Sequence, residues 1–151
     1  MGSANNYDDG DQSYLEKLHQ IIPTDKKDIV TFVGFITNDN LPGIYSIADC
    51  GLLGTKISET VTLFLLEIMA CGIPVVAPSI GGLPEVIREG KEGILISEDY
   101  SQVELVEAMY QMVINKSTWQ RKSVEIAKYI NDKFNWARVA HDLTRIVNEV
   151  G

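Results

Sequence analysis

Cysteine is scarce in this 151-residue chain, where Cys50 and Cys71 are the only two. Two cysteines make no disulfide framework, and neither stands at metal-ligand spacing, so both read as free thiols in a reducing, cytoplasmic setting. Histidine is as sparse: His19 and His141 fall on polar helix faces and read as surface residues rather than catalytic ones. Positive charge is short too. Thirteen Lys and Arg against 21 Asp and Glu leave a net charge of −8, which argues against nucleic acid or an anionic membrane as a general partner. An anionic ligand would need local help, from a helix N-terminus or from basic groups supplied elsewhere. No apolar run reaches the length of a membrane span and no secretory leader is legible, so direct membrane insertion is not expected. Asp8–Asp9 is too isolated to hold a metal. Internal repeats and low-complexity tracts are missing as well.

What is present is the composition of one soluble globular domain, with 45% hydrophobic and 23% charged residues in a chain long enough for a real core. The opening MGSANN resembles an artificial leader, so residues 1–12 are set apart as start and loop from a domain over 13–151. Ser13-Tyr-Leu-Glu16 has the pattern of a capping box opening a helix with Leu15, Leu18, Ile21 and Ile22 on one face, stopped by Pro23. Residues 29–33, IVTFV, read as a β-strand. Asn40 can cap the next helix, with Pro42 in its first turn. A weak buried strand is expected at 50–54, a helix from Thr62 to Cys71 closed by Gly72, and a strand at 74–77. A Gly81-Gly82 turn, a short helix from Leu83 to Arg88 and a strand at 93–96 follow. Ser101-x-x-Glu104 and Ser117-x-x-Gln120 are two further capping boxes. The last helix carries Trp136, Val139, Ala140, Leu143, Ile146, Val147 and Val150 at helix spacing. Tyr110, Trp119 and Trp136 are at core spacing and need no ligand.

Short apolar strands alternating with helices predict a parallel, Rossmann-like α/β sheet of about four strands with helices on both faces. Ligands of such sheets bind at the C-terminal ends of the strands, beside helix N-termini. That rule points to the loops 34–40, 54–62 and 78–83.

The stretch ISETVTLFLLEIMACGIPVVAP (57–78) sharpens the expectation. Leu63 to Ala70 is apolar except for Glu67, and an unpartnered carboxylate in apolar surroundings is costly. At the start of that helix the amides of Thr62, Leu63 and Phe64 are free donors, where a phosphate fits. Glu67 stands about one and a half turns in, roughly 8 Å along the axis. A carboxylate accepts two hydrogen bonds at once and so suits a vicinal diol such as ribose O2′ and O3′. With Glu59 in the preceding loop, one helix start would hold a diphosphate between two polyols, ribose at Glu67 and a sugar at Glu59. A lone Glu in an apolar helix is also met at core edges, and Glu59 alone in a polar loop would carry no meaning. Together with the glycines and the strand–loop–helix context they favour a ligand.

The segment SETVTLFLLEIMACGIPVVAPSIGGLPEVIREGKEGILI closely resembles the signature of glycosyltransferase family 4, retaining enzymes of GT-B fold that use nucleotide-diphosphate sugars. The matching residues are Glu59 and Glu67, with seven residues between them, then Ala70-Cys-Gly-Ile-Pro-Val-Val-Ala77, Gly81-Gly82, Glu85 and Gly90-x-x-Gly93. FVGFI (32–36), LPGIYSIADC (41–50) and FNWARVA (134–140) extend the resemblance over about residues 28–150. It implies the C-terminal, donor-binding half of a hexosyltransferase-type enzyme. Glu59 would be the catalytic-site carboxylate touching donor-sugar hydroxyls, and Glu67 the ribose ligand. Val61, Thr62 and Leu63 would hold the diphosphate, the main chain at Ile36 would meet the base, and Gly81-Gly82 would border the sugar. The resemblance implies no cofactor and no metal beyond the nucleotide-sugar donor itself.

The departures are informative. Thr60-Val61-Thr62 stands where the family has Gly-Phe-Gly; Thr62 is a good N-cap, able either to offer its hydroxyl to phosphate or to crowd it. Lys56 adds a cation beside the loop and reads as an exposed side chain. The family's catalytic Arg and Lys lie upstream of a loop that YDDGDQSYLEKL resembles, and Arg88 and Lys91 look like solvated helix-end charges. The expectation is therefore a domain cut short at its N-terminus, lacking the acceptor domain, inactive alone, and prone to self-associate through a truncated sheet edge. The alternative is a nucleotide-sugar-binding module without transferase activity. A receiver-like interaction domain leaves Glu67 unexplained.

Overall fold

The computed structural model describes residues 9–57 and 62–150, with side chains described over 15–57 and 62–149. It divides into two compact units, Met1–Asn38 and Asp39–Gly151.

In the first unit, α1 spans Asp9–Ile21. The helix therefore runs through Ser13, which does not cap it; the expected capping box is not the start. Acidic residue types at the N-terminal turn suit the helix dipole and extend the helix upstream. After Pro23, Thr24–Ile29 forms a 3-10 helix. The strand expected at 29–33 does not form. Ile29 closes the 3-10 helix, Val30 is extended (φ −110°, ψ 123°), and residues 30–37 belong to no regular element. Val30, Phe32, Val33 and Phe35 are exposed. A parallel strand takes all its ladder bonds from neighbours, and no described residue pairs with this segment, so β-propensity alone does not make it a strand. The exposed His19 ring lies 4.4 Å from that of Phe32.

The second unit holds the sheet. A 3-10 turn at Asn38–Asn40 leads into α2 (Leu41–Tyr45), with Pro42 in its first turn; Asn40 occupies the N-cap position without a side-chain capping bond. Three strands follow, β1 (Gly51–Leu52), β2 (Val75–Pro78) and β3 (Gly93–Ile96), all parallel in the order β1-β2-β3. Val75 pairs with both Gly51 and Gly93. Among the described residues the count is three rather than about four, because 29–33 contributes none. Gly93 is required where it is: a Cβ there would lie 2.1 Å from the Val75 carbonyl oxygen.

Between β1 and β2 runs α3 (Leu63–Ala70). It ends as the sequence suggests. Gly72 takes φ 81°, its amide bonds to Met69 O at 2.9 Å and Ile73 N to Ile68 O at 3.3 Å, the paired bonds of a Schellman motif. Between β2 and β3 is the short α4 (Leu83–Val86). Then come α5 (Gln102–Ile114), α6 (Lys116–Lys133) and α7 (Trp136–Val150). Ser101 caps α5 by accepting from Glu104 N at 3.2 Å, but the Glu104 carboxylate reaches Ser97 N and Oγ, both 2.7 Å. Ser117 is not the start of α6. Asn115 both closes α5 through Gln111 O and accepts from the amides of Thr118 and Trp119, which moves the start upstream.

The central strand β2 is buried throughout, and its alternation sends side chains to two cores. Val75 and Ala77 join Leu65, Ile68 and Met69 of α3, Leu83 and Val86 of α4, and Ile126 and Ile130 of α6. Val76 joins Ile96, Tyr100, Ala108, Met112 and Trp119 on the other face. Helices thus cover both faces. Of the three aromatics at core spacing only Trp119 is buried; Tyr110 is 56% and Trp136 87% exposed. Val139, Leu143, Ile146 and Val147 of α7 are exposed with it. Helical periodicity says which residues share a face, not that another element covers it.

Candidate functional site

Because β1 and β2 are parallel neighbours, the loops leaving their C-terminal ends open at one end of the sheet. The first loop begins at Leu53 and reaches α3; Glu59, Thr60 and Val61 lie outside the described residues. The second contains Gly81 (φ 55°, exposed) and Gly82, the N-cap of α4. The two sequence-derived loops 54–62 and 78–83 are thus brought to the same end of the sheet. Ile36 belongs to the first unit, where it is half-buried.

The start of α3 carries donors. Thr62 is its N-cap residue (φ −76°, ψ 135°), and its carbonyl accepts from Leu65 N and Leu66 N at 3.1 and 3.4 Å. The amides of Leu63 and Phe64 bond to no described residue, and the Leu63 side chain is exposed. One expectation is corrected: the Thr62 hydroxyl does not cap the helix. Its Oγ is buried and has no hydrogen-bond partner among the described residues.

Four residues after Leu63, Glu67 is half-buried, and its partner is Tyr45, whose hydroxyl donates to Oε2 at 3.1 Å. The Oε1 atom remains accessible and accepts from no described residue. Helical side chains lean toward the N-terminus, so this carboxylate lies over the turn that carries the Leu63 and Phe64 amides, about 6 Å along the axis from Leu63. The Tyr45 ring meets that of Phe64 edge-on, with centroids 6.0 Å apart and planes at 69°. Burial, then the hydrogen bond to Glu67, raises the Tyr45 pKa above its usual value of 10.0, so the phenol is a protonated donor at neutral pH. Sequence reasoning missed Tyr45. The available signal was a phenol ending the apolar LPGIY helix, a residue type that seeks a polar partner when half-buried.

Two cations are engaged elsewhere. Lys56 is exposed as expected, but its ammonium donates to Tyr100 O at 3.2 Å and sits 4.9 Å over that ring, while Tyr100 Oη donates to Gly54 O at 2.7 Å. These bonds tie the loop after β1 to the one after β3. Arg88 is not a merely solvated charge. Glu92 is 2% exposed and accepts from Arg88 N at 2.9 Å and from its Nε and Nη2, while the guanidinium stacks 3.9 Å over Tyr129. The buried Glu92 explains why Arg88 is not free. No group of three potential metal ligands occurs among the described residues, and none of their helices is long and apolar enough to cross a membrane. Burial raises the pKa of both Cys50 and Cys71, which disfavours the thiolate form on which cysteine reactivity depends.

Fold and site together define a Rossmann-like α/β domain with its ligand-ready helix start at the C-terminal edge of a parallel sheet. The family model for glycosyl transferases group 1 matches residues 7–115, and the chain belongs to that family. Its fold is that of one Rossmann-like domain of the GT-B glycosyltransferases. It is 28% identical to spore coat protein SA of Bacillus subtilis over 134 residues, 89% of this chain and 35% of that protein. It is 31% identical to the D-inositol 3-phosphate glycosyltransferase of Mycobacteroides abscessus over 117 residues, 77% of this chain and 25% of the relative. Sucrose-phosphate synthase from Thermosynechococcus elongatus superposes with a TM-score of 0.78 at 26% identity, over 93% of this chain and 34% of that one. The Anabaena protein HepE, solved in complex with UDP, superposes at 0.81 with 23% identity, over 93% and 38%. The chain thus spans about a third of the length of these relatives.

Proposed function

We propose that this chain is the donor-binding domain of a retaining glycosyltransferase, which transfers a sugar from a nucleotide-diphosphate sugar to an acceptor held outside the described domain. The observation that carries the reading is Glu67: a carboxylate in an otherwise apolar helix, one oxygen held by Tyr45 and the other accessible, one turn beyond unbonded amides. In this reading the amides of Leu63 and Phe64 and the orphaned Thr62 hydroxyl meet the diphosphate, with Val61 alongside. Helix-start amides favour negative charge even within an acidic protein, so no metal is assigned. Glu67 accepts from the ribose diol, Glu59 from donor-sugar hydroxyls, and Gly81-Gly82 borders the sugar. Neighbours of the same fold solved with UDP and with UDP-glucose support a nucleotide-sugar donor. A cytoplasmic site of action fits the free thiols.

Charge-assisted hydrogen bonds of this kind contribute about 1.5–3 kcal/mol. Glu67→Gln is expected to weaken binding of a nucleoside diphosphate such as UDP or GDP by about that amount in calorimetry, with the thermal midpoint preserved. Equal affinities in a folded variant would sink the ribose assignment. The second reading, a module that binds nucleotide sugar without transferring it, draws on Thr62 standing where the family has glycine. Incubating the protein with labelled nucleotide sugars and candidate acceptors separates the two: transfer supports the enzyme, binding without transfer or donor hydrolysis supports the module.

A further inference from the structure

The carboxylate assigned to ribose is held by a residue from another element. Tyr45 closes α2, and its hydroxyl donates to Glu67 Oε2 at 3.1 Å. Its ring is fixed in turn by Phe64, 6.0 Å away between centroids. Phe64 and Glu67 are three apart on α3 and so share a face; Tyr45 bridges them. Among the described residues no Lys, Arg or His pairs with Glu67, and the phenol is the one described donor to it. A glutamate side chain left alone samples many rotamers, and that freedom must be given up when a ligand binds. An ionised carboxylate has about four acceptor positions. Tyr45 takes one, leaving Oε1 and one lone pair of Oε2, enough for the two hydroxyls of a vicinal diol.

We infer that Tyr45 is a positioning residue for ribose recognition: its hydroxyl locks the Glu67 rotamer so that the accessible carboxylate edge meets the diol of a nucleotide lying across the start of α3. The inference rests on the reading of Glu67 as the ribose ligand. A Tyr that merely packs would act through its ring, and phenylalanine keeps the ring. A Tyr that positions the carboxylate acts through its hydroxyl, and its loss matters only to ligands that have a diol.

The test compares wild type and Tyr45→Phe by calorimetry, using whichever of UDP and GDP binds wild type better, and the 2′,3′-dideoxy form of the same nucleotide. Wild type is expected to prefer the diol-bearing nucleotide by tenfold or more. Tyr45→Phe should lose about three- to tenfold in affinity for it, the range of one ordinary hydrogen bond, because the bond steadies the carboxylate rather than touching the ligand, with affinity for the dideoxy form unchanged. In the Glu67→Gln background, Tyr45→Phe should cost much less, because the two act as a unit. Phe64→Leu, which loosens the ring and keeps the hydroxyl, gives a second variant and is expected to show a smaller loss with the same diol dependence. Equal losses for both ligands would assign Tyr45 a packing role and overturn the inference, as would unchanged discrimination. Wild type that binds both nucleotides equally, or neither, would instead defeat the reading of Glu67 on which the inference stands.

Discussion

Thr62 offers a perturbation whose effects on stability and on ligand binding should carry opposite signs. Its hydroxyl oxygen is buried with no hydrogen-bond partner among the described residues, and it does not cap α3. A buried polar group left unbonded costs about 1–3 kcal/mol. Thr62 as a whole is half-buried, so the low end, about 1 kcal/mol, is the fitting figure. Valine has the same shape without the hydroxyl and tolerates the extended backbone at φ −76° and ψ 135° as well as threonine does. Thr62→Val should therefore stabilise the free protein by about 1 kcal/mol, which for a chain of this length raises Tm by about 2–4 °C. If the hydroxyl awaits a phosphate oxygen, the same change removes a charge-assisted bond. Nucleoside-diphosphate affinity should then fall about tenfold or more. Thr62→Ser should keep the affinity. Differential scanning calorimetry and titration calorimetry on the three proteins read both effects. A lower Tm for the valine variant would mean the hydroxyl has a stabilising partner in the free protein, and an unchanged affinity would mean it faces no phosphate.

What the sequence disclosed, and what it withheld, divides along the range of the interactions. Residues 62–78 were legible because their determinants are local: an apolar helix, a glycine at the one left-handed position that ends it, and a run of β-branched residues buried on both faces. Residues 29–33 have the same local propensity and form no strand, since a strand exists only against a neighbour. Trp136 and Tyr110 were placed in a core by their spacing, yet spacing fixes a shared face and leaves its covering to tertiary structure. At the site, Glu67 announced itself as a carboxylate among apolar residues. Its partner did not, because Tyr45 is 22 positions away on a different helix and no periodicity links the two. Arg88 and Glu92 hid for the opposite reason. They stand four apart, the spacing of a helical ion pair, but α4 ends at Val86, and the turn that follows buries the carboxylate rather than displaying it.

That buried pair and the cap of α5 give two further tests. Glu92→Gln keeps an acceptor for the Arg88 amide but removes the charge; because the Arg88 side chain is 45% exposed, its guanidinium can return to water, so the cost should be about 1–3 kcal/mol rather than the 3–5 of a fully buried pair. Urea denaturation reads it, and an unmoved midpoint would show that the ion pair contributes nothing. Glu104 supplies the pH dependence. The hydrogen bonds from the Ser97 hydroxyl and amide lower its pKa below the usual 4.5. A carboxyl whose folded pKa is depressed binds fewer protons folded than unfolded, so its contribution is complete above the unfolded value. It is lost as pH falls from about 4.5 through the lower folded pKa. The carboxylate is exposed to solvent and screened, so the effect should be small and confined to that acid window. Melting curves of wild type and Glu104→Gln should accordingly differ by a constant offset above pH 5 and converge below it. An offset that persists undiminished at pH 3 would mean that Ser97 holds the side chain equally well without its charge, and that the cap rather than the ionisation is what steadies the start of α5.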